Sequence, residues 1–313
     1  MGLKPMSARS PFDAGTIEDP DWRALYPRYS CYATINGHRM HYIDTGCGTP
    51  VVMMHGNPTW AFYYRRLARH LSSSFRVIVP DHIGCGLSAR PAAQEYGYRL
   101  ADRVADFTQL MATLNVSQPV DLVVHDWGGM IALAWAVRQP QQVRRLVILN
   151  TAAFLLPVDK ALPWQLRMLR NLTLLATPLI LYGNLFALGA AFMAPRKRLS
   201  KEICQGYLAP YKHPQNRLAT LKFVQDIPLS PTDPSYDIVA QVETDLTRLN
   251  HKPILICWGR YDFVFDLDYL HQWQCRFPSA RVYLARNAGH YVLEDAADQL
   301  LPRIDAFLKQ RGC

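Results

Sequence analysis

Short apolar runs rich in β-branched residues alternate along this chain with longer stretches whose apolar residues recur at helical spacing. The short runs predict strands at residues 32–35, 38–43, 51–54, 76–79, 120–124, 143–149, 253–258 and 281–285. The longer stretches predict helices at residues 60–71, 100–114, 130–137, 267–277 and 294–309. Asn36-Gly37 is a strong signal for a two-residue hairpin turn between the first two strands. This alternation predicts an α/β fold, with a mostly parallel sheet covered by helices on both faces.

Residues 154–229 break the alternation. They contain helix-length apolar stretches without a clear strand, and the stretches are cut by Pro157, Pro163, Pro178, Pro195 and Pro210. We therefore predict a core formed by residues 31–150 and 231–313, with a helical cap inserted at 151–230. Residues 1–30, rich in Pro, Asp and Arg, are expected to form a loosely ordered lead-in.

The most informative stretch is residues 119–129, where an apolar strand runs through two glycines into a helix. Such a sharp turn holds one side chain at its tip, above a helix N-terminus, and that side chain is Asp126. The usual Gly-x-Ser-x-Gly elbow reads Val-His-Asp-Trp-Gly here, so an aspartate replaces the serine. A carboxylate nucleophile would attack carbon and form an ester with the protein. The alternative is that Asp126 is only a helix N-cap.

Two further candidates follow the last two predicted strands, at the edge of the sheet where α/β proteins bind their ligands. Asp262 comes after residues 253–258, and His290 comes after residues 281–285. The order nucleophile, acid, histidine is that of the α/β-hydrolases. His290 would act as general base, and Asp262 would fix its tautomer. Taken singly, Asp262 is also explained as a turn former and His290 as a loop histidine.

Asn57 and Trp127 are candidate donors for an anionic leaving group. Asn57 follows an early strand and carries an amide, whereas Trp127 follows Asp126 directly and carries an indole N–H. Two neutral donors facing the attacked carbon suit a group that departs as an anion. The alternatives are that Trp127 packs in the core and that Asn57 caps the helix from Pro58.

At these positions the chain resembles the haloalkane dehalogenases over residues 31–310. In that family an aspartate nucleophile, a histidine, an acid and two anion-holding donors form a pentad, matched here by Asp126, His290, Asp262, Asn57 and Trp127. Some dehalogenases carry a glutamate acid where this chain has Asn150, so it resembles the branch whose acid follows the penultimate strand. Epoxide hydrolases usually have an aromatic residue at Asn57, and fluoroacetate dehalogenases have arginine at Trp127.

A closer resemblance is to the β-lactone decarboxylases of bacterial long-chain olefin biosynthesis. It rests on residues 81–88, 150–154, 224–229, 262–266 and 288–295, in core and cap alike. The resemblance implies decarboxylation of a cis-3,4-dialkyl β-lactone to a cis-alkene, by attack of Asp126 at the alkyl carbon or at the carbonyl. It also implies a long-chain hydrophobic substrate, other enzymes of the olefin pathway as partners, and an oligomer or complex. The alternatives are a haloalkane dehalogenase, an epoxide hydrolase and a non-catalytic binding protein of the same fold.

Composition and charge bear on the compartment, the cofactors and the partners of the protein. Its 313 residues include seven scattered cysteines without a C-x-x-C pair, which argues for reduced thiols in the cytoplasm and against a disulfide framework or zinc site. No organic or metal cofactor is expected, and the N-terminal residues lack an apolar run of signal-peptide length. Residues 151–228 hold ten Lys and Arg against three acids, so they carry +7 of the net charge of +9. No nucleic-acid motif accompanies this charge, and nucleic acid is not expected as a partner.

Residues 172–194 form a stretch of 23 residues without a charge, between basic clusters at 167–170 and 196–198. Its length would allow a membrane span, but both flanks are basic, and Pro178, Gly183 and Gly189 interrupt it. We predict instead two short cap helices over the active site. The apolar stretch and its basic rim also predict peripheral, salt-sensitive association with a membrane or a partner through the cap.

Overall fold

The computed structural model describes residues 21–26, 29–114, 116–157 and 160–310. Eight strands form one sheet in the order β1-β2-β4-β3-β5-β6-β7-β8. They are β1 (Ser30–Ile35), β2 (His38–Thr45), β3 (Pro50–Met54), β4 (Arg76–Pro80), β5 (Val120–His125), β6 (Val143–Leu149), β7 (Ile254–Gly259) and β8 (Arg281–Ala285). β2 pairs antiparallel with both of its neighbours, β1 and β4. Along the rest of the sheet, from β4 through β3, β5, β6 and β7 to β8, every pairing is parallel. The predicted α/β fold is confirmed.

Helices cover both faces of this sheet. The α-helices of the described residues, including those of the segment between β6 and α10, are α1 (Asp21–Leu25), α2 (Arg65–Leu71), α3 (Leu100–Thr113), α4 (Trp127–Ala136), α5 (Trp164–Asn171), α6 (Thr173–Leu181), α7 (Leu185–Met193), α8 (Lys201–Leu208), α9 (Leu218–Gln225), α10 (Tyr236–Asp245), α11 (Leu267–Arg276), α12 (Val292–Asp295) and α13 (Ala297–Leu308). Short 3₁₀ helices lie at Ala61–Tyr64, Pro140–Gln142, Ala209–Tyr211, Pro214–Arg217 and Leu246–Leu249.

The core consists of two apolar layers, one on each face of the sheet. Along β5, Leu122 and Val124 pack in the layer that includes α3 and α4, whereas Val123 packs in the layer that includes α2 and α13. Successive side chains of a strand point to opposite faces, so a strand covered on both sides is apolar throughout. This explains why β5 lacks the polar alternation of a half-exposed strand.

Four expectations about local structure were wrong. The predicted helix at 60–71 begins as the 3₁₀ helix Ala61–Tyr64, because the N–H of Ala61 donates to the distant Asp81 carboxylate (2.7 Å) and fixes a tighter first turn. Residues 21–26 belong to the predicted loose lead-in, yet α1 is ordered, with Trp22 buried against Trp60. The rest of that lead-in, residues 1–20, 27 and 28, lies outside the described residues. Pro178 lies inside α6 instead of ending it.

The predicted helix at 294–309 is two helices, α12 and α13, divided at Ala296. The cause is the carboxylate of Asp295, which accepts the backbone N–H groups of Gly289 (2.8 Å), Arg196 (2.7 Å) and Lys197 (2.8 Å). These bonds hold Asp295 against a loop of the sheet and a loop that follows α7. A helix continuing straight from residue 294 would carry the carboxylate away from them.

Residues between β6 and α10 contribute α5 to α9, and the described part of this segment contains no strand. We call these five helices the cap and keep 151–230 as its predicted limits. α6 and α7 meet at an angle of 76°. Within the described ranges, no single helix is long and apolar enough to cross a membrane, and only this bent pair has the combined length and composition.

Candidate active site

Asp126 lies at the tip of the turn between β5 and α4, with φ 51° and ψ −130°. A positive φ is unusual for any residue other than glycine, and it turns this side chain out above the sheet. The turn is tight enough that a Cβ at Gly128 would collide with the carbonyl oxygen of Met54, and one at Gly56 would collide with Asp126 itself. The glycines of the elbow are therefore required by close approach of the backbone.

The two oxygens of the Asp126 carboxylate have different surroundings. Oδ1 accepts the backbone N–H of Asn57 at 2.6 Å, and the backbone N–H of Trp127 also bonds the carboxylate. Oδ2 lies 3.6 Å from Nε2 of His290. Burial raises the pKa of Asp126, and the two N–H groups and His290 offset only part of that rise. The Asp126 side chain does not make the N-cap hydrogen bond to the second or third residue of α4, so the N-cap alternative is wrong.

His290 is held from behind by Asp262. Its Nδ1 lies 2.7 Å from Oδ2 of Asp262, whose Oδ1 accepts the N–H groups of Val264 (2.7 Å) and Phe265 (3.0 Å). Burial lowers the pKa of His290, but Asp262 and Asp126 outweigh it, and the net pKa is raised. Asp262 is thus fixed by its own loop and in turn fixes the ring, with Nε2 directed at Asp126.

His125 contacts His290 from the end of β5, and the sequence analysis did not single it out. Its ring lies 4.5 Å from that of His290 between centroids, and its Nε2 is 2.9 Å from the carbonyl oxygen of His290. Burial and the neighbouring His290 hold the pKa of His125 well below its usual value, so the ring is neutral and its Nε2–H donates to that carbonyl. The one available signal was a histidine at the end of an otherwise apolar strand, directly before Asp126.

Asn57 and Trp127 both lie on the wall of the cavity above Asp126. One hydrogen of the Asn57 amide goes to the carbonyl oxygen of Thr220 in α9 (3.1 Å), which leaves the second hydrogen of the NH₂ group. No side-chain cap is present on the 3₁₀ helix at Ala61–Tyr64, so the helix-cap alternative for Asn57 is wrong. Trp127 packs against Phe223, with ring centroids 5.2 Å apart, and also faces the cavity.

The cavity has a volume of about 260 Å³, and its wall combines a few polar side chains with many apolar ones. Asn57, Asp126, Trp127 and His290 form a polar part of the wall. Most of the remaining wall is apolar and comes from the cap and the loops beside it, including Leu162, Leu166, Leu169, Leu185, Phe186 and Met193. An elongated apolar molecule with one reactive centre fits such a cavity.

Asn150 occupies the position where an acid after β6 would stand. It is buried, its Oδ1 accepts the N–H of Gly259 (2.7 Å), and its Nδ2 donates to the carbonyl oxygen of the same residue (3.3 Å). The side chain therefore joins the ends of β6 and β7 and has no role as an acid. Among the described residues, no group of three or more His, Cys, Asp or Glu side chains is arranged to hold a metal ion.

The chain is similar in sequence and structure to known proteins. A family model for the alpha/beta hydrolase fold matches residues 49–297. The cis-3-alkyl-4-alkyloxetan-2-one decarboxylase of Shewanella oneidensis is 46% identical over 287 residues, covering 91% of this chain and 90% of the relative. The enzyme of the same name from Xanthomonas campestris is 42% identical, covering 88% and 93%. A haloalkane dehalogenase of Mycolicibacterium paratuberculosis is 32% identical, covering 85% and 86%.

Solved structures of haloalkane dehalogenases share the fold. DbeA from Bradyrhizobium elkani superposes with a TM-score of 0.81 at 23% identity, covering 89% of this chain and 97% of that one. DatA from Agrobacterium tumefaciens superposes with a TM-score of 0.79 at 24% identity, covering 91% and 98%.

Proposed function

The chain belongs to the α/β-hydrolase family and, within it, to the cis-3-alkyl-4-alkyloxetan-2-one decarboxylases, and we propose that it converts cis-3,4-dialkyl β-lactones to cis-alkenes and carbon dioxide. One observation carries this conclusion: identity to the decarboxylases extends over nearly the whole of both chains and exceeds the identity to the dehalogenases. The protein is accordingly a carboxy-lyase. The roles of individual residues below are our proposals.

Asp126 is the proposed nucleophile, acting through Oδ2. Oδ1 is engaged by the N–H of Asn57, so the free electron pair for attack belongs to the oxygen that faces His290. Oδ2 attacks the ring carbon that bears the lactone oxygen, and the carbon–oxygen bond of the ring breaks toward oxygen. The product is an ester of Asp126 with a free carboxylate on the neighbouring carbon.

The second step returns Asp126 to its starting state. The bond between the alkyl chain and the carboxylate breaks, its electron pair forms the alkene, and the ester oxygen leaves as the Asp126 carboxylate. Carbon dioxide and alkene account for every atom of the lactone, so no water is consumed. Attack from the face opposite the ring oxygen places Asp126 anti to the carboxylate without bond rotation, and anti elimination then gives the cis-alkene from the cis-lactone.

Asn57 and Trp127 are proposed to hold the carboxylate that forms in the first step. Both line the cavity beside Asp126, and each offers a neutral N–H donor. Donors fixed in a site with little water stabilise a developing anion more strongly than water does. The apolar remainder of the cavity suits the two alkyl chains.

His290 has a different proposed role from the one that it has in hydrolysis. Its pKa is raised, and the ring lies beside the oxygen that must leave as an anion in the second step. An imidazolium at that place stabilises the departing Asp126 carboxylate. With an alkyl halide, the same ring in its neutral form would instead act as general base for water, which gives the chain a possible dehalogenase reaction.

One preparation assayed with two substrates tests the proposal. A synthetic cis-3,4-dialkyl β-lactone is followed by alkene and carbon dioxide, and a 1-bromoalkane is followed by bromide, with heat-inactivated protein as the control for spontaneous decarboxylation. We expect cis-alkene in catalytic amounts and a much smaller yield of bromide. Efficient bromide release without alkene would overturn the proposal in favour of a haloalkane dehalogenase.

A further inference from the structure

We propose that α6 and α7 dock on an anionic lipid bilayer, with their outer apolar face in the interfacial region and the basic loop after α7 on the lipid phosphates. The proposal concerns a surface of the cap and is independent of the reaction at Asp126. Its occupant is a bilayer of anionic lipid. A protein partner on the same face is the competing outcome in the experiment below.

The outer face of α6 and α7 is apolar and exposed. Leu174 is 94% exposed, Phe192 is 78% exposed and Tyr182 is 73% exposed. Other exposed apolar side chains of the same segment are Leu172, Leu175, Leu185, Leu188 and Met193. Large apolar patches of this kind on a protein surface mark sites of protein or membrane contact. Single exposed leucines are common, but so many on two consecutive helices are not.

The geometry of the pair suits the bilayer interface better than a straight span. Each helix has nine residues and is therefore about 14 Å long, roughly half of the 30 Å hydrocarbon core. The angle of 76° between them prevents the two from acting as one rod. Helices that lie in the interface bury their apolar face by only about 5–10 Å, and these exposed side chains are long enough to do so.

Positive charge lies at both ends of this apolar surface. Arg167 precedes it, and Arg196, Lys197 and Arg198 follow it, all exposed. The Asp295 carboxylate takes the backbone N–H groups of Arg196 and Lys197, so the loop is fixed by its backbone and its side chains remain outside. A groove beside this loop is lined by Arg66, Arg69, Lys197 and Arg198.

Two of the acids near this basic surface are paired with arginines, and a third, Glu202, is hydrogen-bonded to Ser200 at the start of α8. Glu294, in the same groove, binds Arg65 in two hydrogen bonds, and Asp298 binds Arg66. Lys197, Arg198 and Arg69 are therefore the cations of the groove for which no acid partner is seen among the described residues. An apolar surface rimmed by unpaired cations is complementary to anionic headgroups above hydrocarbon.

The same two helices also line the active-site cavity. Leu185 and Met193 are half exposed and also belong to the cavity wall, so these two side chains lie between the cavity and the docking face. If the proposed function is right, a long-chain lactone dissolved in the bilayer would enter there without crossing water. Leu174 and Phe192, by contrast, face outward only and are absent from the cavity wall.

Sedimentation with lipid vesicles tests the proposal without any need for turnover. The full chain is mixed with phosphatidylcholine vesicles, with or without about a third of phosphatidylglycerol, at low and high salt. We expect binding to the anionic vesicles at low salt, loss of binding at high salt, and little binding to phosphatidylcholine alone. Each basic residue removed from 196–198 by substitution with Gln should weaken binding about fivefold.

Matched variants locate the surface. Leu174→Asp with Phe192→Asp should abolish binding, whereas Val282→Asp on the edge strand β8 and Arg138→Gln at the end of α4 should leave it unchanged. Turnover of a short-chain, water-soluble lactone by the double variant should match the original protein, because neither side chain lines the cavity. A circular dichroism melt confirms that the variants are folded, so lost binding with an intact melt supports the proposal.

Three results would overturn it. The first is equal recovery of the original protein in the supernatant with and without anionic vesicles at low salt. The second is undiminished vesicle binding by the double variant. The third is binding that is insensitive to salt and to phosphatidylglycerol. If the chain does not bind vesicles and instead binds another protein through Leu174 and Phe192, the surface is a protein interface and the lipid proposal is wrong.

Discussion

The backbone N–H of Asn57 donates a hydrogen bond of 2.6 Å to Oδ1 of Asp126. This bond fixes Oδ1, while Oδ2 lies toward Nε2 of His290, and the N–H of Trp127 also bonds the carboxylate. The bond crosses between the loops after β3 and β5, two strands that are neighbours in the sheet. The orientation of Asp126 is therefore set by the backbone and does not depend on the side chains proposed to bind the leaving group.

Asp126→Asn should abolish alkene formation, by at least about 10⁴-fold, because an amide cannot form the ester. The same variant should unfold at a higher temperature. Burial raises the pKa of Asp126 above its unfolded value, so the ionised carboxylate at neutral pH costs folding free energy that a neutral amide does not. Product analysis and a thermal melt measure the two effects. Wild-type turnover with deamidation excluded by mass spectrometry would contradict the assignment.

Asn57→Ala should lower kcat for alkene formation about 10²-fold, or about 3 kcal/mol, through loss of one donor to the developing carboxylate. The backbone N–H of residue 57 remains and continues to orient Asp126. Steady-state kinetics and a melt separate this effect from a change in stability. Asn171→Ala, at an exposed asparagine outside the cavity wall, is the matched control and should behave as wild type. An Asn57 variant with lower Tm and an unchanged rate would show a structural role only.

His290→Gln should separate the two reactions of this site. With a 1-bromoalkane, Asp126 should still displace bromide once, but without a base the ester persists. Intact-protein mass spectrometry should then show the alkyl adduct, which peptide mapping places on Asp126. Alkene formation should fall only about tenfold, since it requires no water and loses only a stabilising charge. Equal loss of both reactions, with no adduct, would mean that His290 is needed for the first attack.

The two reactions should respond to pH in opposite directions around the pKa of His290, which Asp262 and Asp126 raise. As pH rises through that pKa, the imidazolium is lost, so alkene formation should decline while base-dependent bromide turnover should increase. At low pH the rates of both reactions should fall as Asp126 is protonated. Because burial raises the pKa of Asp126, this fall should begin at a higher pH than for an ordinary aspartate. Profiles of kcat for both substrates measure this, and parallel profiles would contradict the role given to His290.

An isotope in the lactone ring should identify the attacked carbon. On the alkyl route both oxygens of the lactone leave as carbon dioxide. Attack at the carbonyl would instead keep the ring oxygen on the alkyl carbon. Water would then hydrolyse the acyl-aspartate and supply the second oxygen of carbon dioxide, and the ring oxygen would leave as water. With ¹⁸O in the ring position, we therefore expect all of the label in carbon dioxide. Label found in water would establish the carbonyl route.

The strands and the reactive loops could be predicted closely because their signals are local. β6 and β8 lie where the β-branched runs predicted them, and Asp126, Asp262 and His290 come together because parallel strands end at one edge of the sheet. Burial on both faces gives such strands a continuous apolar sequence, which is the strongest strand signal in the chain.

The details that could not be predicted depend on side chains far away in the sequence. Asp81 tightens the start of the helix after residue 60, and Asp295 divides the last predicted helix by binding Arg196, some 99 positions earlier. His125 binds the carbonyl of a residue 165 positions ahead. No local pattern of apolar and polar residues contains that information, and it follows only from the three-dimensional arrangement.

The three hydrogen bonds of Asp295 also limit how the cap can vary. They join the loop after α7 to Gly289, the neighbour of His290, so any change in the length of that loop would shift the His290 ring. An insertion or deletion before α7 changes the cavity wall without touching this connection. The cap thus has one stretch whose length is free of this connection and another, from residue 194 to 197, whose length is fixed by the hydrogen bonds to Asp295.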